Sequence, residues 1–225
     1  MDSSKEPFQL LLACEDKNEY EVKHRDLSTG IFILKNVISK EDIHQIKNAI
    51  DEYAYDKPLG PVNNVCAFGC DKHEIDDPVK SEKIGFIITK TMTGIKNRIS
   101  KILQLTPLYT EIAQMRKIYG ATRNHIDGIS GNWEKGFSRE HVRVLSVIVA
   151  LNSDYEGGEF FFPNQYSKIK LKEGEALIFP PYWTHPHQTG ELNGTFRYTL
   201  NTWFTGMALS QKLTKDLKEY NCFTW

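Results

Sequence analysis

The sequence lacks three features that would each assign it to a class at once: a long apolar run, a strong net charge and a cysteine framework. No segment approaches the roughly 20 consecutive apolar residues that a helix needs to span a bilayer. The 28 basic residues nearly balance the 29 acidic ones, so binding to nucleic acid or to an anionic membrane is not expected. Four cysteines in 225 residues are too few for a disulfide framework, which favours a reducing compartment.

The composition that remains is that of an ordinary globular protein, with 40% hydrophobic and 25% charged residues. The N-terminal stretch FQLLLACEDK is not preceded by a net-basic flank, so it predicts an early strand or docking segment and not a signal sequence. A cytoplasmic location is therefore expected. Cys66, Cys70 and His73 lie close together, but their spacing is unlike that of common zinc sites and a fourth ligand is not evident.

Two segments in the first half of the chain repeat apolar residues at helical spacing. GIFILKNVISKEDIHQIKNAIDEYA predicts a strand followed by a helix, with Ser39 as the N-cap. The second segment, SEKIGFIITKTMTGIKNRISKIL, also predicts a helix with one apolar face. That face comprises Ile84, Ile88, Met92, Ile95, Ile99 and Ile102. Each helix must bury its apolar face against another part of the protein.

From Leu105 onward the pattern changes to short strands. RVLSVIVALN is nearly continuous and β-branched, which predicts a strand buried on both faces, and RYTLNTWF alternates between polar and apolar residues. We predict an α+β, mainly β, fold: a double-stranded β-helix, or jelly roll, over about 105–205. Helices and strands over about 1–104 would buttress it, and a C-terminal helix over about 206–220 would follow. The sequence contains no repeat, low-complexity tract or linker, so a single domain over 1–225 is predicted.

The stretch HIDG places His125 and Asp127 two residues apart. Residues i and i+2 of a strand face the same side, so the imidazole and the carboxylate could bind one ion, and Gly128 lets the chain turn away. A histidine from a distant strand would complete the two-histidine, one-carboxylate set that binds non-haem Fe(II) and leaves open positions for a co-substrate and O2. This motif alone is also typical of surface turns.

The later stretch GEALIFPPYWTHPHQTGELNGTFRYTLNTWF offers two histidines for the third position, His185 and His187. They lie two residues apart on one segment and could face the same way. From the residues alone, either could be the ligand.

The same stretch continues with Arg197, which on an alternating strand shares a face with Thr199, Asn201 and Trp203. That face would line the barrel interior. A buried arginine needs a partner, and its planar guanidinium is suited to bidentate binding of a carboxylate.

These motifs resemble the iron(II)/2-oxoglutarate-dependent dioxygenases, specifically the prolyl 4-hydroxylase-like branch. The resemblance rests on HIDG, RVLSVIVALNSDYEGGEFFFP and GEALIFPPYWTHPHQTGELNGTFRYTLNTW in that order, over about residues 108–204. It implies an enzyme that uses Fe(II), 2-oxoglutarate and O2, with ascorbate as reductant. It also implies that 2-oxoglutarate chelates the iron through its keto and C1 carboxylate groups and that Arg197 binds its C5 carboxylate.

The resemblance further selects among the candidate residues. Arg197 lies ten positions after His187, the separation that the family usually shows, so the implied metal ligands are His125, Asp127 and His187. His185 would then be part of the pocket wall.

The family often has a tyrosine upstream of the His-x-Asp motif that contacts the co-substrate. Nine and ten positions before His125 this chain has Arg116 and Met115, and Tyr119 lies six positions upstream. Tyr119 and Thr199 are therefore the predicted co-substrate residues besides Arg197, although Tyr119 could equally belong to the aromatic core.

The substrate predicted by the resemblance is a prolyl residue in a peptide or protein. The loop GISGNWEKGFSREHVR contains Trp133 as a candidate wall or lid residue, while Arg143, His185 and Trp203 are candidates for contact with the substrate or support of the site. A hydroxylase of a free amino acid or other small molecule, and a non-catalytic jelly-roll binding protein, stay open as alternatives. A nucleic-acid demethylase of this family would carry a further arginine where this chain has Trp203.

Overall fold

The computed structural model describes residues 29–54, 67–104, 108–128 and 141–207. Two helices are present, α1 (Lys40–Tyr53) and α2 (Pro78–Leu103). The Ser39 hydroxyl caps α1 by accepting a hydrogen bond from the Asp42 backbone nitrogen at 3.1 Å. Asp77 caps α2 in the same way, and Pro78 occupies the first turn, where a missing N–H costs nothing. Both predicted helices are confirmed.

Antiparallel strands make up most of the rest. They are β1 (Phe32–Leu34), β2 (Ala67–Cys70), β3 (Tyr109–Thr110), β4 (Gln114–Ile118), β5 (Thr122–His125), β6 (His141–Ala150), β7 (Glu156–Gly157), β8 (Phe160–Phe162), β9 (Ser167–Ile169), β10 (Ala176–Phe179), β11 (His187–Thr189), β12 (Leu192–Asn193) and β13 (Arg197–Met207). The larger sheet has the order β1-β10-β6-β13-β4-β2, with β3 also paired to β13. The smaller sheet has the order β5-β11-β8-β9, and β12 pairs with β7.

The larger sheet is buried on both faces. On one side Val147 and Val149 of β6 belong to an apolar cluster that includes both helices. On the other side Ile148 and Ala150 belong to a second cluster, together with aromatic residues of β8 and β10. This arrangement explains why RVLSVIVALN is apolar at consecutive positions instead of alternating. The second cluster lies between the two sheets, and we refer to that space as the barrel interior.

The predicted α+β, mainly β, jelly-roll architecture is confirmed. The C-terminal helix was predicted to begin at about residue 206, but Gly206 and Met207 belong to β13. The remainder of that prediction, 208–220, lies outside the described residues, and the single domain stays a prediction. Among the described residues, none of the helices combines the length and apolarity needed to cross a bilayer.

Candidate active site

The pairing of β5 with β11 brings two histidines from distant parts of the chain side by side. His125 and His187 are register partners, and their ring centroids lie 4.4 Å apart. Asp127 follows the end of β5, with Oδ1 at 3.5 Å from Nε2 of His125 and Oδ2 at 3.7 Å from Nε2 of His187. One ligand atom from each of the three residues lies within 4.8 Å of the other two, so all three can bind the same ion.

Backbone carbonyls orient both imidazoles. Nδ1 of His125 donates to the Arg123 carbonyl at 2.8 Å, and Nδ1 of His187 donates to the His185 carbonyl at 3.2 Å. Because a carbonyl can only accept, the proton of each neutral ring lies on Nδ1. In the neutral form of each ring, Nε2 carries its lone pair on the side of Asp127, which is the arrangement that a metal ligand requires.

Four hydrogen bonds fix Asp127. Its backbone nitrogen and that of Gly128 donate to the Pro181 carbonyl at 3.0 and 2.6 Å. The Ser146 hydroxyl donates to Oδ2 at 2.7 Å, and Nη1 of Arg143 donates to the Asp127 carbonyl at 2.9 Å. Asp127 is therefore held in place from β6 and from the segment that follows β10.

The protonation states of Asp127 and His187 suit a cation. Burial by itself raises the pKa of Asp127, but hydrogen bonding with His125, Coulombic attraction to the protonated form of His187 and the Ser146 hydroxyl together lower it well below its ordinary value. Burial lowers the pKa of His187 despite the opposing charge of Asp127. For His125, hydrogen bonds to Asp127 and to the Arg123 carbonyl outweigh burial and raise the pKa. Asp127 is thus an anion and His187 a neutral ring at neutral pH.

Arg143 connects the metal-ligand cluster to Glu111 and Trp203. Its guanidinium forms a bidentate ion pair with Glu111, with N–O distances of 2.8 and 2.6 Å, and it lies 3.6 Å from the ring centroid of Trp203. With one nitrogen bonded to the Asp127 carbonyl, Arg143 is held on three sides. Its contacts assign it to supporting Asp127.

Gly128 is needed for close packing as well as for the turn. A Cβ atom at this position would lie 2.4 Å from the ring of Tyr182 and 3.0 Å from the Pro181 carbonyl oxygen. Any side chain there would push away the segment that accepts the Asp127 and Gly128 hydrogen bonds. This contact could not be predicted from the sequence, because it depends on Tyr182, which lies more than fifty positions away.

His185 lies outside the cluster. Its Nε2 donates to the Thr29 carbonyl at 2.6 Å, and its Nδ1 accepts from the Thr184 hydroxyl at 2.9 Å. Both ring nitrogens are therefore engaged by protein atoms, which leaves neither available to an ion beside Asp127. The residue links β11 to the segment that precedes β1.

A row of polar side chains lies along β13 in the barrel interior. Arg197 and Thr199 are 2% and 1% exposed, yet Nε of Arg197 and Oγ1 of Thr199 have no hydrogen-bond partner among the described residues. The same holds for Oδ1 of Asn201 and Nε1 of Trp203. Unpaired buried polar atoms are costly. Nε of Arg197, Oγ1 of Thr199 and Nε1 of Trp203 can each donate, so these three indicate a ligand with several oxygen acceptors, whereas Oδ1 of Asn201 needs a donor.

The Arg197 guanidinium has only partial compensation from protein atoms. Nη1 donates to the Gly158 carbonyl at 2.5 Å, and the ring of Phe160 lies 4.9 Å from Cζ. Burial lowers the pKa of Arg197 to about 10, opposed by the charge of Tyr155. The residue stays cationic at neutral pH, and a carboxylate would fit it.

The other predicted residues lie in different surroundings. Tyr119 is 38% exposed, and its ring packs edge-on against Phe196, with the centroids 6.1 Å apart. Arg116, on β4, is the register partner of Thr199 on β13. Trp133 lies outside the described residues. Glu111 and Ser146 are components of the site's surroundings that the sequence did not identify, because neither belongs to a recognisable motif. Arg116 was noted only as one of the two residues at the position of the family's tyrosine.

Comparison with known proteins agrees with this geometry. Residues 111–205 match the family profile of the 2OG-Fe(II) oxygenase superfamily, a range that includes His125, Asp127, His187 and Arg197. A putative prolyl 4-hydroxylase of Acanthamoeba polyphaga mimivirus is 33% identical over 70 residues, covering 28% of this chain. The matched region spans 29% of the length of that relative.

Solved structures share the fold across most of the chain. The viral collagen prolyl hydroxylase of Paramecium Bursaria Chlorella virus-1 superposes with a TM-score of 0.59 at 19% identity, covering 79% of this chain and 96% of that one. A prolyl hydroxylase from Trichoplax adhaerens, solved with a hypoxia inducible factor peptide fragment, gives 0.58 at 16% identity, covering 79% and 84%. The resemblance seen in the motifs is confirmed: the part of the chain that carries the His125, Asp127 and His187 cluster matches the 2OG-Fe(II) oxygenase superfamily.

Proposed function

We propose that this protein is an Fe(II)- and 2-oxoglutarate-dependent oxygenase that hydroxylates a C–H bond of a prolyl residue in a peptide or protein. One observation carries the proposal: a two-histidine, one-carboxylate cluster lies in the same barrel interior as a buried arginine whose charge has no carboxylate partner among the described residues. A metal ion would be bound by the cluster, and a carboxylate group of a dicarboxylate would pair with the arginine.

His125, Asp127 and His187 would hold the iron. Their Nε2 and carboxylate oxygen atoms already converge, and each side chain is oriented by a hydrogen bond from outside the cluster. Three protein ligands leave room for a chelating co-substrate and O2. Phe162 and Phe179 pack around His187, with centroid distances of 5.6 and 4.6 Å, and would exclude water from one side of the metal.

Arg197 would bind the C5 carboxylate of 2-oxoglutarate, with Thr199 donating a further hydrogen bond. The unpaired Nε of Arg197 and Oγ1 of Thr199 fit this role, since the carboxylate would satisfy both. The chemistry supplied by the bound iron and 2-oxoglutarate is O2-dependent hydroxylation with release of succinate and CO2. Ascorbate is proposed as the reductant that keeps the iron ferrous.

His187 of β11 and His185, two positions before it, provide a test of the ligand assignment. We expect His187→Ala to lose Fe(II) binding, because it removes one of three ligands. His185→Ala should retain Fe(II) and mainly perturb turnover, because its two nitrogens bond Thr29 and Thr184 and not the ion. Anaerobic titration with Fe(II) measures both. If His185→Ala lost the metal and His187→Ala kept it, the ligand assignment would be wrong.

The substrate proposal draws on the relatives. Both structures compared above are prolyl hydroxylases, and one of them was solved with a peptide. A free amino acid or another small molecule is the alternative substrate class. The alternative that is not an enzyme is a jelly-roll protein that binds a ligand without turnover.

A succinate-formation screen distinguishes these possibilities. The protein, loaded with Fe(II), is incubated with 2-oxoglutarate, ascorbate and either proline-containing peptides, free amino acids or nucleosides. We expect substrate-stimulated succinate and a gain of one oxygen atom on a prolyl residue by mass spectrometry. The matched peptide controls carry alanine in place of each proline. Oxygen gained only by free amino acids would replace the peptide proposal, and no succinate with any candidate would favour the binding protein.

A further inference from the structure

Arg116 is a second guanidinium of the barrel interior. On β4 it is the register partner of Thr199, and on its other side its partner on β2 is Gly69, which has no side chain to offer it. Register partners in an antiparallel pair point to the same face of the sheet. Arg116 therefore shares the interior face with the β13 row that contains Arg197 and Thr199.

The charge of Arg116 has no carboxylate partner of its own within the described chain. Its hydrogen bonds go to the Gln114 amide oxygen, from Nε at 3.2 Å and from Nη2. Two neighbouring cations are paired, Arg143 with Glu111 at 2.6 Å and Lys117 with Asp51 at 2.6 Å. A neutral amide only partly offsets the cost of burying a guanidinium, so Arg116 needs an anion.

The direction of the Arg116 side chain indicates at which end of the pocket its guanidinium lies. Along β13, Arg197 lies at one end of the polar row, and Trp203, which stacks on Arg143, lies at the end nearest Asp127. The backbone of Arg116 lies opposite Thr199, but its guanidinium donates to Gln114. Gln114 is the register partner of Asn201, which lies closer to Trp203 along β13 than Thr199 does. The guanidinium is thus directed away from Arg197 and towards the metal cluster.

The electrostatic couplings agree with this placement. Burial lowers the pKa of Arg116, the charge of Asp127 raises it and that of Arg143 lowers it. Arg116 in turn lowers the pKa of Arg197. Arg116 therefore lies within electrostatic reach of the metal cluster on one side and of Arg197 on the other. Two cations spaced along one pocket match a ligand with a carboxylate at each end.

We propose that Arg116 binds the metal-proximal carboxylate of the 2-oxo acid, so that this pocket has a guanidinium for each end of its co-substrate. This inference rests on the proposed function. Arg116 would act as a positioning residue: it would share the C1 carboxylate with the metal and restrict how the oxo acid lies on it. The Gln114 amide would hold the guanidinium in place when the pocket is empty.

Three ligands separate the two arginines. 2-Oxoglutarate carries both carboxylates, 2-oxopentanoate has a methyl group in place of the C5 carboxylate, and levulinate has a methyl group in place of the C1 carboxylate. Binding is measured anaerobically by calorimetry to the Mn(II)-loaded protein, so that no turnover is required. Arg116→Gln should raise the Kd of 2-oxoglutarate and of 2-oxopentanoate by roughly 10- to 100-fold, as expected for loss of a charge-assisted hydrogen bond. It should leave the Kd of levulinate within about 2-fold.

Arg197→Gln should give the reciprocal pattern, weakening 2-oxoglutarate and levulinate but not 2-oxopentanoate. Lys117→Gln is the matched control, because it removes the same charge from the next position of the same strand but from the opposite face, where Lys117 pairs with Asp51 of α1. It should leave all three affinities unchanged. Arg116→Lys, which keeps the charge but not the planar fork, should show a smaller loss for the two ligands that carry the C1 carboxylate and none for levulinate.

The outcomes separate this inference from the function on which it rests. If the unmodified protein does not bind 2-oxoglutarate in the presence of Mn(II), the proposed function fails. If it binds and Arg116→Gln or Arg116→Lys leaves the affinity of both C1-carboxylate ligands unchanged, the inference about Arg116 is wrong. An equal loss for all three ligands would also contradict it, since that would mean general disruption of the pocket. Should Arg116→Gln not fold, the ligand pattern of Arg116→Lys decides.

Discussion

Asp127→Ala is expected to abolish both Fe(II) binding and turnover. The carboxylate is the only anionic member of the cluster and the residue that both imidazoles face, at 3.5 and 3.7 Å. Its removal leaves two neutral rings, which cannot offset the charge of a divalent cation. The measurement is anaerobic Fe(II) titration, followed by succinate formation under O2.

Two further variants make this result specific. Ser146→Ala removes only the hydroxyl that donates to Oδ2, so Fe(II) should still bind but about 10- to 100-fold more weakly, as is typical when a residue that orients a metal ligand is lost. Asp154→Ala, at an exposed aspartate that bonds Asn152, should behave like the unmodified protein. Normal turnover by Asp127→Ala would overturn the metal assignment altogether.

Arg197→Ala should raise the 2-oxoglutarate KM strongly while leaving Fe(II) binding nearly unchanged. The interaction lost is a charged hydrogen bond, worth roughly one to three kcal/mol, which corresponds to about 5- to 150-fold in KM. The affinity for Fe(II) should not change, because Arg197 contacts the Gly158 carbonyl and the Phe160 ring and not the metal ligands.

Arg197→Lys should recover only part of the loss, since an ammonium group cannot present two parallel donors to one carboxylate. Lys168→Ala, which removes an exposed cation from β9, is the control and should leave the KM unchanged. A normal 2-oxoglutarate KM in Arg197→Ala would make Arg197 a structural residue. The C5 carboxylate would then need another cation.

Local periodicity accounts for the parts of the site that the sequence predicted. His125 and Asp127 follow a spacing of two at the end of a strand, and Arg197, Thr199, Asn201 and Trp203 follow the same spacing along β13. The residues that hold these groups in place follow no such rule. Glu111 lies between β3 and β4 and pairs with Arg143 across 32 positions, so no short-range pattern could have found it.

Arg116 illustrates a second limit of sequence reasoning. QMRKI alternates so weakly that the inward face of the strand cannot be read from it, and Arg116 and Lys117 look equivalent. Only the register with Thr199 shows that Arg116 faces the interior, while Lys117 pairs with Asp51 of α1. The choice between His185 and His187 likewise rested on family spacing, because the contacts of His185 with Thr29 and Thr184 are tertiary.

One metal ion and one 2-oxo acid are proposed to react together in the barrel interior. The deciding experiment measures succinate formed from 2-oxoglutarate by the metal-stripped protein before and after addition of Fe(II). We expect no succinate without metal, restoration at about one Fe(II) per chain, and no restoration in Asp127→Ala. Succinate formed by the stripped protein, or none formed by the protein reconstituted with Fe(II) and given peptides, amino acids and nucleosides, would contradict it.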